Sequence, residues 1–272
     1  MKQPIGIFDS GYGGLTVLKE IVHILPQYDY LYLGDNARAP YGTRSFETVY
    51  EYTLECVQWL FSQGCSLVIL ACNTASAKAL RTIQQTYLPT IDASKRVLGV
   101  IRPTAQVLGN YSTTKHIGIL ATNGTVQSQS YPIEIEKFYP SIQVYQQACP
   151  MWVPLIENNE QHTEGANYFI KKDVQNLLQQ NATIDTILLA CTHYPLLTES
   201  IQQLVAKNIT ILSQGKIVAN SLKDYLGRHP EIDNNCSKNQ QMQFYTTDST
   251  QDFDNHAINF FGKNVKSTHL SL

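Results

Sequence analysis

Short apolar runs alternate with helix-period stretches from the start of the chain. Ile5-Gly6-Ile7-Phe8 is followed by the polar, glycine-rich Asp9-Ser10-Gly11-Tyr12-Gly13-Gly14. Leu15 to Leu25 then places apolar side chains at 15, 18, 21, 22 and 25, the spacing of one helix face. Tyr30 to Leu33 reads as a second strand, ending at Gly34-Asp35-Asn36. Residues 45–63 read as a helix, opened by Ser45 and stopped by Gly64. Leu67 to Leu70 reads as a buried strand that runs into Ala71-Cys72-Asn73-Thr74. Strands alternating with helices predict an α/β fold, a parallel sheet with helices on its faces.

The pattern then restarts. Ile117-Gly118-Ile119-Leu120 echoes Ile5-Gly6-Ile7-Phe8 and opens onto the polar loop Ala121-Thr122-Asn123-Gly124-Thr125. Ile187-Leu188-Leu189-Ala190-Cys191-Thr192 echoes Val68-Ile69-Leu70-Ala71-Cys72-Asn73. Ile117 follows Ile5 by 112 positions and Cys191 follows Cys72 by 119, a weak duplication at domain scale. The expected architecture is two similar α/β domains, each a mostly parallel sheet flanked by helices. A pseudo-two-fold axis would relate them, with the site in the cleft between. Residues 1–96 plus 209–272 are expected to form the first domain and 97–208 the second. Gly227 to Gln243 is polar and reads as a surface loop; Phe244 to Thr247 reads as a last strand and Asp252 to Phe261 as a last helix, returning to the first domain.

Composition removes several classes of function. Apolar residues make up 43% of the 272 and charged residues 15%, which excludes disorder as the main state. Twenty Lys and Arg against 22 Asp and Glu leave a net charge of −2, with no basic footprint for nucleic acid. The longest clean apolar runs, such as Leu67 to Cys72, are far too short to span a bilayer. The opening Met-Lys-Gln-Pro-Ile-Gly lacks an apolar export segment, so a cytoplasmic, reducing setting with free thiols is expected. The six cysteines form no CxxC pair, the usual sign of a zinc ribbon or a thioredoxin-type site. Cys56, Cys65, Cys149 and Cys236 read as packed or incidental thiols.

Cys72 and Cys191 differ from these four because both fall at strand ends. Ligands of open parallel sheets bind beyond the carboxyl ends of the strands. Asp9-Ser10, Asp35-Asn36, Cys72-Asn73-Thr74, Thr122 to Thr125 and Cys191-Thr192-His193 all fall there. If the two domains face each other, Cys72 and Cys191 approach one cleft from opposite sides, the arrangement that inversion at a carbon requires. A thiol of pKa about 8.5 is only about 3% ionised at pH 7, so neighbours must tune it; Asp9 and His193 are placed to do so. Ser10, Asn73, Thr74, Thr122, Thr125 and Thr192 are short neutral hydrogen-bonders suited to carboxylates, and Arg38 is the one basic residue inside these motifs. A phosphate-binding P-loop is absent, and Thr16 occupies the third glycine place of a GxGxxG pattern. On these residues alone a racemase, a cysteine hydrolase using His193 and a binding protein for acidic ligands all stay open.

Four blocks carry a resemblance to a known family: Asp9 to Leu18, Gly34 to Gly42, Ala71 to Ala77 and Ala190 to Leu197. Together with Gly99-Val100-Ile101, the Thr122/Thr125 loop, Val153 to Glu157 and Phe244 to Thr247, they resemble the glutamate racemases of the aspartate/glutamate racemase family. The resemblance implies interconversion of L- and D-glutamate without cofactor or metal, feeding peptidoglycan assembly in the cytoplasm, by a chain that is often a homodimer. It implies that Cys72 and Cys191 are the acid/base pair, with Asp9 supporting Cys72, and His193 backed by Glu157 supporting Cys191. It places Ser10, Tyr41, Gly42, Asn73, Thr74 and Thr192 on the substrate, with Thr122, Thr125, Asp9 and His193 expected in the same role. An aspartate or hydantoin racemase would share the paired cysteines. Arg102 and Asn36 depart from the pattern of the family without touching either thiol.

Overall fold

The computed structural model describes residues 2–92 and 94–272. In chain order its strands are β1 (Ile5–Asp9), β2 (Tyr30–Gly34), β3 (Leu67–Leu70), β4 (Arg96–Gly99) and β5 (His116–Ala121). They continue with β6 (Gln143–Ala148), β7 (Thr186–Ala190), β8 (Thr210–Ser213), β9 (Met242–Thr246) and β10 (Ser267–His269). Among the described residues these form two sheets, ordered β10-β9-β2-β1-β3-β4 and β6-β5-β7-β8. Neighbouring strands are parallel throughout.

The inner strands β1, β2, β3 and β7 are buried at every position, which is why they read as unbroken apolar runs. Helices cover the faces. The helix Leu15–Ile24 turns Leu15, Val17, Leu18 and Ile21 inward. The helix Phe46–Ser62 starts where Ser45 Oγ accepts from the Thr48 amide at 3.1 Å, a cap worth about 1 kcal/mol. It ends before Gly64, whose φ of +92° is open to glycine at little cost.

The duplication read in the sequence is visible as strand order. Each half places its second strand beside its first, then its third and fourth: β2-β1-β3-β4 and β6-β5-β7-β8. The first sheet gains β9 and β10 from the returning tail, with β9 paired to β2. The chain leaves the first sheet after Gly99 and the second after Ser213. Backbone pairing sets these limits: β4 is held by β3, and β8 by β7. The stretch 227–243 is not wholly loop. It includes the end of the helix Gly215–Arg228, the short helix Pro230–Asp233 and the start of β9, with Ile232 and Cys236 buried.

Candidate active site

Register brings the site residues level. β1 and β3 set Phe8 beside Leu70, so two residues on, Ser10 stands beside Cys72. β5 and β7 set Ala121 beside Ala190, so Thr122 stands beside Cys191. The two thiols thus occupy equivalent places in the two sheets. They line the same cleft, which encloses about 590 Å³ including its open mouth, room for a small molecule. Ser10, Tyr41, Gly42, Asn73, Thr74, Glu157, Thr122, Thr192 and His193 line it as well.

The two sulfurs have different neighbours. Cys72 caps the helix Asn73–Lys78, its Sγ accepting from the Ala75 amide at 3.4 Å, and Ser10 Oγ lies 3.4 Å away. Burial, and then the nearby Asp9 carboxylate, push the Cys72 thiol up to about 12. Cys191 Sγ lies 3.9 Å from His193 Nδ1, and His193 Nε2 lies 2.9 Å from Glu157 Oε1. Burial by itself would lower the imidazole pKa, but the contacts with Cys191 and Glu157 outweigh it and hold it at about 10. At neutral pH the ring is therefore an imidazolium, donating to the carboxylate on one side and facing Cys191 on the other.

Asp9 sits behind this wall and does not line the cleft. Its Oδ1 accepts from the Gly11 amide at 3.1 Å and its Oδ2 from Thr192 Oγ1 at 3.4 Å. Burial pushes its carboxyl pKa up, against the pull of His193 and the Gly14 and Gly11 amides. Its reach to the Cys72 side is electrostatic; the direct contacts of that sulfur are with Ser10 Oγ and the Ala75 amide.

Several expected substrate contacts are otherwise engaged. Thr125 does not line the cleft: it accepts from Thr122 Oγ1 at 3.1 Å and braces it from behind. Thr74 and Thr122 hydroxyls meet at 3.0 Å, joining the halves across the cleft. The Asn73 side chain is taken up by Gln214 and Tyr131. Tyr41 donates its hydroxyl to Asp35, so its ring forms wall rather than a polar contact. Arg38 is bound to Asp35 at 2.7 Å and Glu55 at 2.5 Å and is not part of the cleft lining. The cleft lining accordingly holds short neutral polar side chains and the His193–Glu157 pair, with no Lys or Arg.

The sequence reading did not single out Thr43, Asn123, Cys149, Val153 and Pro154, which form the walls together with Ala39, Pro40 and Pro150. Val153 and Pro154 belong to a block it quoted, and Asn123 stands between Thr122 and Thr125, so position in a motif was the available signal. Cys149, expected as a packed or incidental thiol, is buried, with Sγ 3.6 Å from the Gln147 carbonyl. Cys56, Cys65 and Cys236 are buried away from the cleft, as expected of packed thiols. Among the described residues no group of three or more His, Cys, Asp or Glu is arranged to hold a metal ion. No helix there is long and apolar enough to cross a membrane.

Comparison with known proteins identifies the family. The family description Asp/Glu/Hydantoin racemase matches residues 5–222. A glutamate racemase of Geobacter metallireducens is 38% identical over 95% of this chain and 92% of its own length. The structure of a glutamate racemase isoform from Bacillus anthracis superposes with a TM-score of 0.90 at 33% identity, covering 99% of this chain and 98% of that one. The glutamate racemase of Francisella tularensis, solved in complex with D-glutamate, superposes with a TM-score of 0.87 at 30% identity over 99% and 98% of the two chains. A match of this extent in sequence and in fold makes the chain a member of the glutamate racemases within the Asp/Glu/hydantoin racemase family.

Proposed function

We propose that this protein interconverts L- and D-glutamate by two-base proton transfer between Cys72 and Cys191, without a cofactor, and supplies D-glutamate for peptidoglycan in the cytoplasm. One observation carries the reading: two thiols at equivalent strand ends of like-ordered sheets share one cleft. Substrate identity rests on the relatives, which are glutamate racemases along nearly their whole length, one of them bound to D-glutamate.

The two environments divide the labour. In one direction the mobile proton starts on Cys72, whose thiol burial keeps protonated, and Cys191, 3.9 Å from His193 Nδ1, is the base. Cys191 takes the α-proton from one face of glutamate as Cys72 delivers its own to the opposite face. The protons are then exchanged: Cys191 is a thiol and Cys72 a thiolate, the form that accepts the other enantiomer. Ser10 beside Cys72 and the amide of Ala75 stabilise that thiolate.

Acid–base catalysis supplies about 10²–10⁴-fold, and a turnover of about 10 per second needs a barrier of roughly 16 kcal/mol. The remainder falls to orientation and to stabilising charge that spreads into the α-carboxylate during proton removal. Ser10, Asn73, Thr74 and Thr192, which line the cleft with the two thiols, are the residues assigned this task. The test is substitution. Cys72→Ser and Cys191→Ser should each reduce steady racemisation, followed by circular dichroism of glutamate, at least about 10³-fold; wild-type rates in either variant would remove the two-thiol mechanism.

A further inference from the structure

Behind Cys72 lies a polar ring that the reaction itself does not require. Asn73 Nδ2 donates to Gln214 Oε1 at 2.7 Å, Gln214 Nε2 donates to the Tyr131 hydroxyl at 2.5 Å, and that hydroxyl donates to Asn73 Oδ1 at 2.6 Å. The three groups donate in one sense around a closed circuit, so each bond polarises the next. Asn73, Tyr131 and Gln214 are all buried, and burial holds Tyr131 firmly as the phenol, so its role as donor is fixed.

The members come from three parts of the chain. Asn73 directly follows Cys72 in the first half, and Tyr131 belongs to the helix Ser130–Phe138 in the second. Gln214 sits just past β8, where the chain leaves the second sheet. Its Nε2 also donates to Thr104 Oγ1 at 3.0 Å and lies 3.4 Å from the Val100 carbonyl, just past the point where the chain leaves the first sheet. Thr104 in turn donates to that same carbonyl at 2.7 Å. Gln214 therefore joins both passages of the chain between the sheets to the residue next to Cys72. A side chain placed only to satisfy Asn73 would not need the contacts at Thr104 and Val100.

We infer that Gln214 and Tyr131 are positioning residues for the reaction, a latch that fixes the Cys72 end of the cleft to the hinge between the two halves. The inference rests on the proposed role of Cys72 as an acid/base. With the latch made, the Cys72 helix has one register relative to the second half, and its sulfur keeps its place opposite Cys191. With the latch broken, Cys72 loses that place while Cys191, held by its own sheet and by His193, keeps its own. A shift of about 1 Å in a reacting group costs on the order of 100-fold in rate.

Tyr131→Phe removes one hydroxyl and keeps the ring in its packing. The expected result is a 10- to 100-fold fall in kcat with KM changed less than threefold. The decisive readout is the primary isotope effect with α-deuterated L- and D-glutamate. Slowing the Cys72 step raises the effect for the enantiomer whose proton Cys72 removes and lowers it for the other, an asymmetry that general loosening of the fold does not produce. Gln214→Glu keeps the side-chain shape, removes the amide donors and is expected to give the same asymmetry; it serves if Tyr131→Phe does not fold. A folded variant with kcat and both isotope effects within twofold of wild type overturns the inference. So does a loss of rate with equal isotope effects in the two directions and a matching fall in Tm. If the wild type does not racemise glutamate, or Cys72→Ser keeps full activity, the reading of Cys72 fails first and the latch falls with it.

Discussion

At the scale of single residues the two halves of the site are built alike and tuned differently. Ser10 and Thr122 occupy equivalent places beside the two sulfurs. A buried carboxylate, Asp9, precedes Ser10, whereas Ala121 precedes Thr122; the second half instead carries His193, where the first has Thr74. Glu157 joins Cys191 in raising the pKa of this histidine. Glu157→Gln removes a negative charge 2.9 Å from Nε2, so the imidazole pKa falls from about 10 toward its ordinary 6.5. The alkaline limb of the pH–rate profile should move to lower pH, with kcat at pH 8 reduced about 10-fold; a limb that stays in place would contradict the assignment. The same raised pKa has a consequence for stability. The protonated ring stabilises the fold in full below about pH 6.5, and that contribution is lost as pH rises through about 10. Sequence alone showed which residues gather at the strand ends. It could not show which side chains turn away, as those of Asn73, Tyr41 and Thr125 do, because their partners Gln214, Asp35 and Thr122 are chosen by tertiary packing.

At the scale of elements, legibility follows burial. The inner strands β1, β2, β3, β5 and β7 stood out as apolar runs, and helix Phe46–Ser62 carried its own start and stop signals. The strands the sequence reading did not identify are β4, β6, β8 and β10, the edges of the two sheets. An edge strand pairs on one side only and needs no continuous apolar face; β6, Gln-Val-Tyr-Gln-Gln-Ala, shows this plainly. The loop after β1 has a different constraint. A Cβ on Gly13 would lie 2.3 Å from Thr192 Oγ1 and 2.4 Å from His193 Nδ1, so glycine here lets the Cys191–His193 loop of the other half close down. Thr16 Oγ1 seals the contact, donating to the Thr192 carbonyl at 2.8 Å. Gly13→Ala must push Thr192 and His193 outward, and kcat should fall more than about 10-fold, a larger effect than on Tm. Kinetics within twofold of wild type would mean the loop is not held as described.

At the scale of the whole molecule, a duplicated sheet order produces a cleft with a thiol on either side, and the contacts across it keep the halves in register. Thr74 meets Thr122, Thr16 meets Thr192, and Gln214 ties both chain passages to Asn73. The repeat was legible because Ala-Cys recurs at two strand ends; the cross-contacts were not, since they join positions 48 to 176 residues apart. The account stands or falls on hydrogen passing through the α-carbon. Incubating L-glutamate with the protein in deuterated water, with no pyridoxal phosphate added, measures this directly by optical rotation and by α-proton NMR. Rotation should decay to zero while deuterium enters the α-position of the product. Binding of glutamate with rotation unchanged and no α-deuterium would contradict the account.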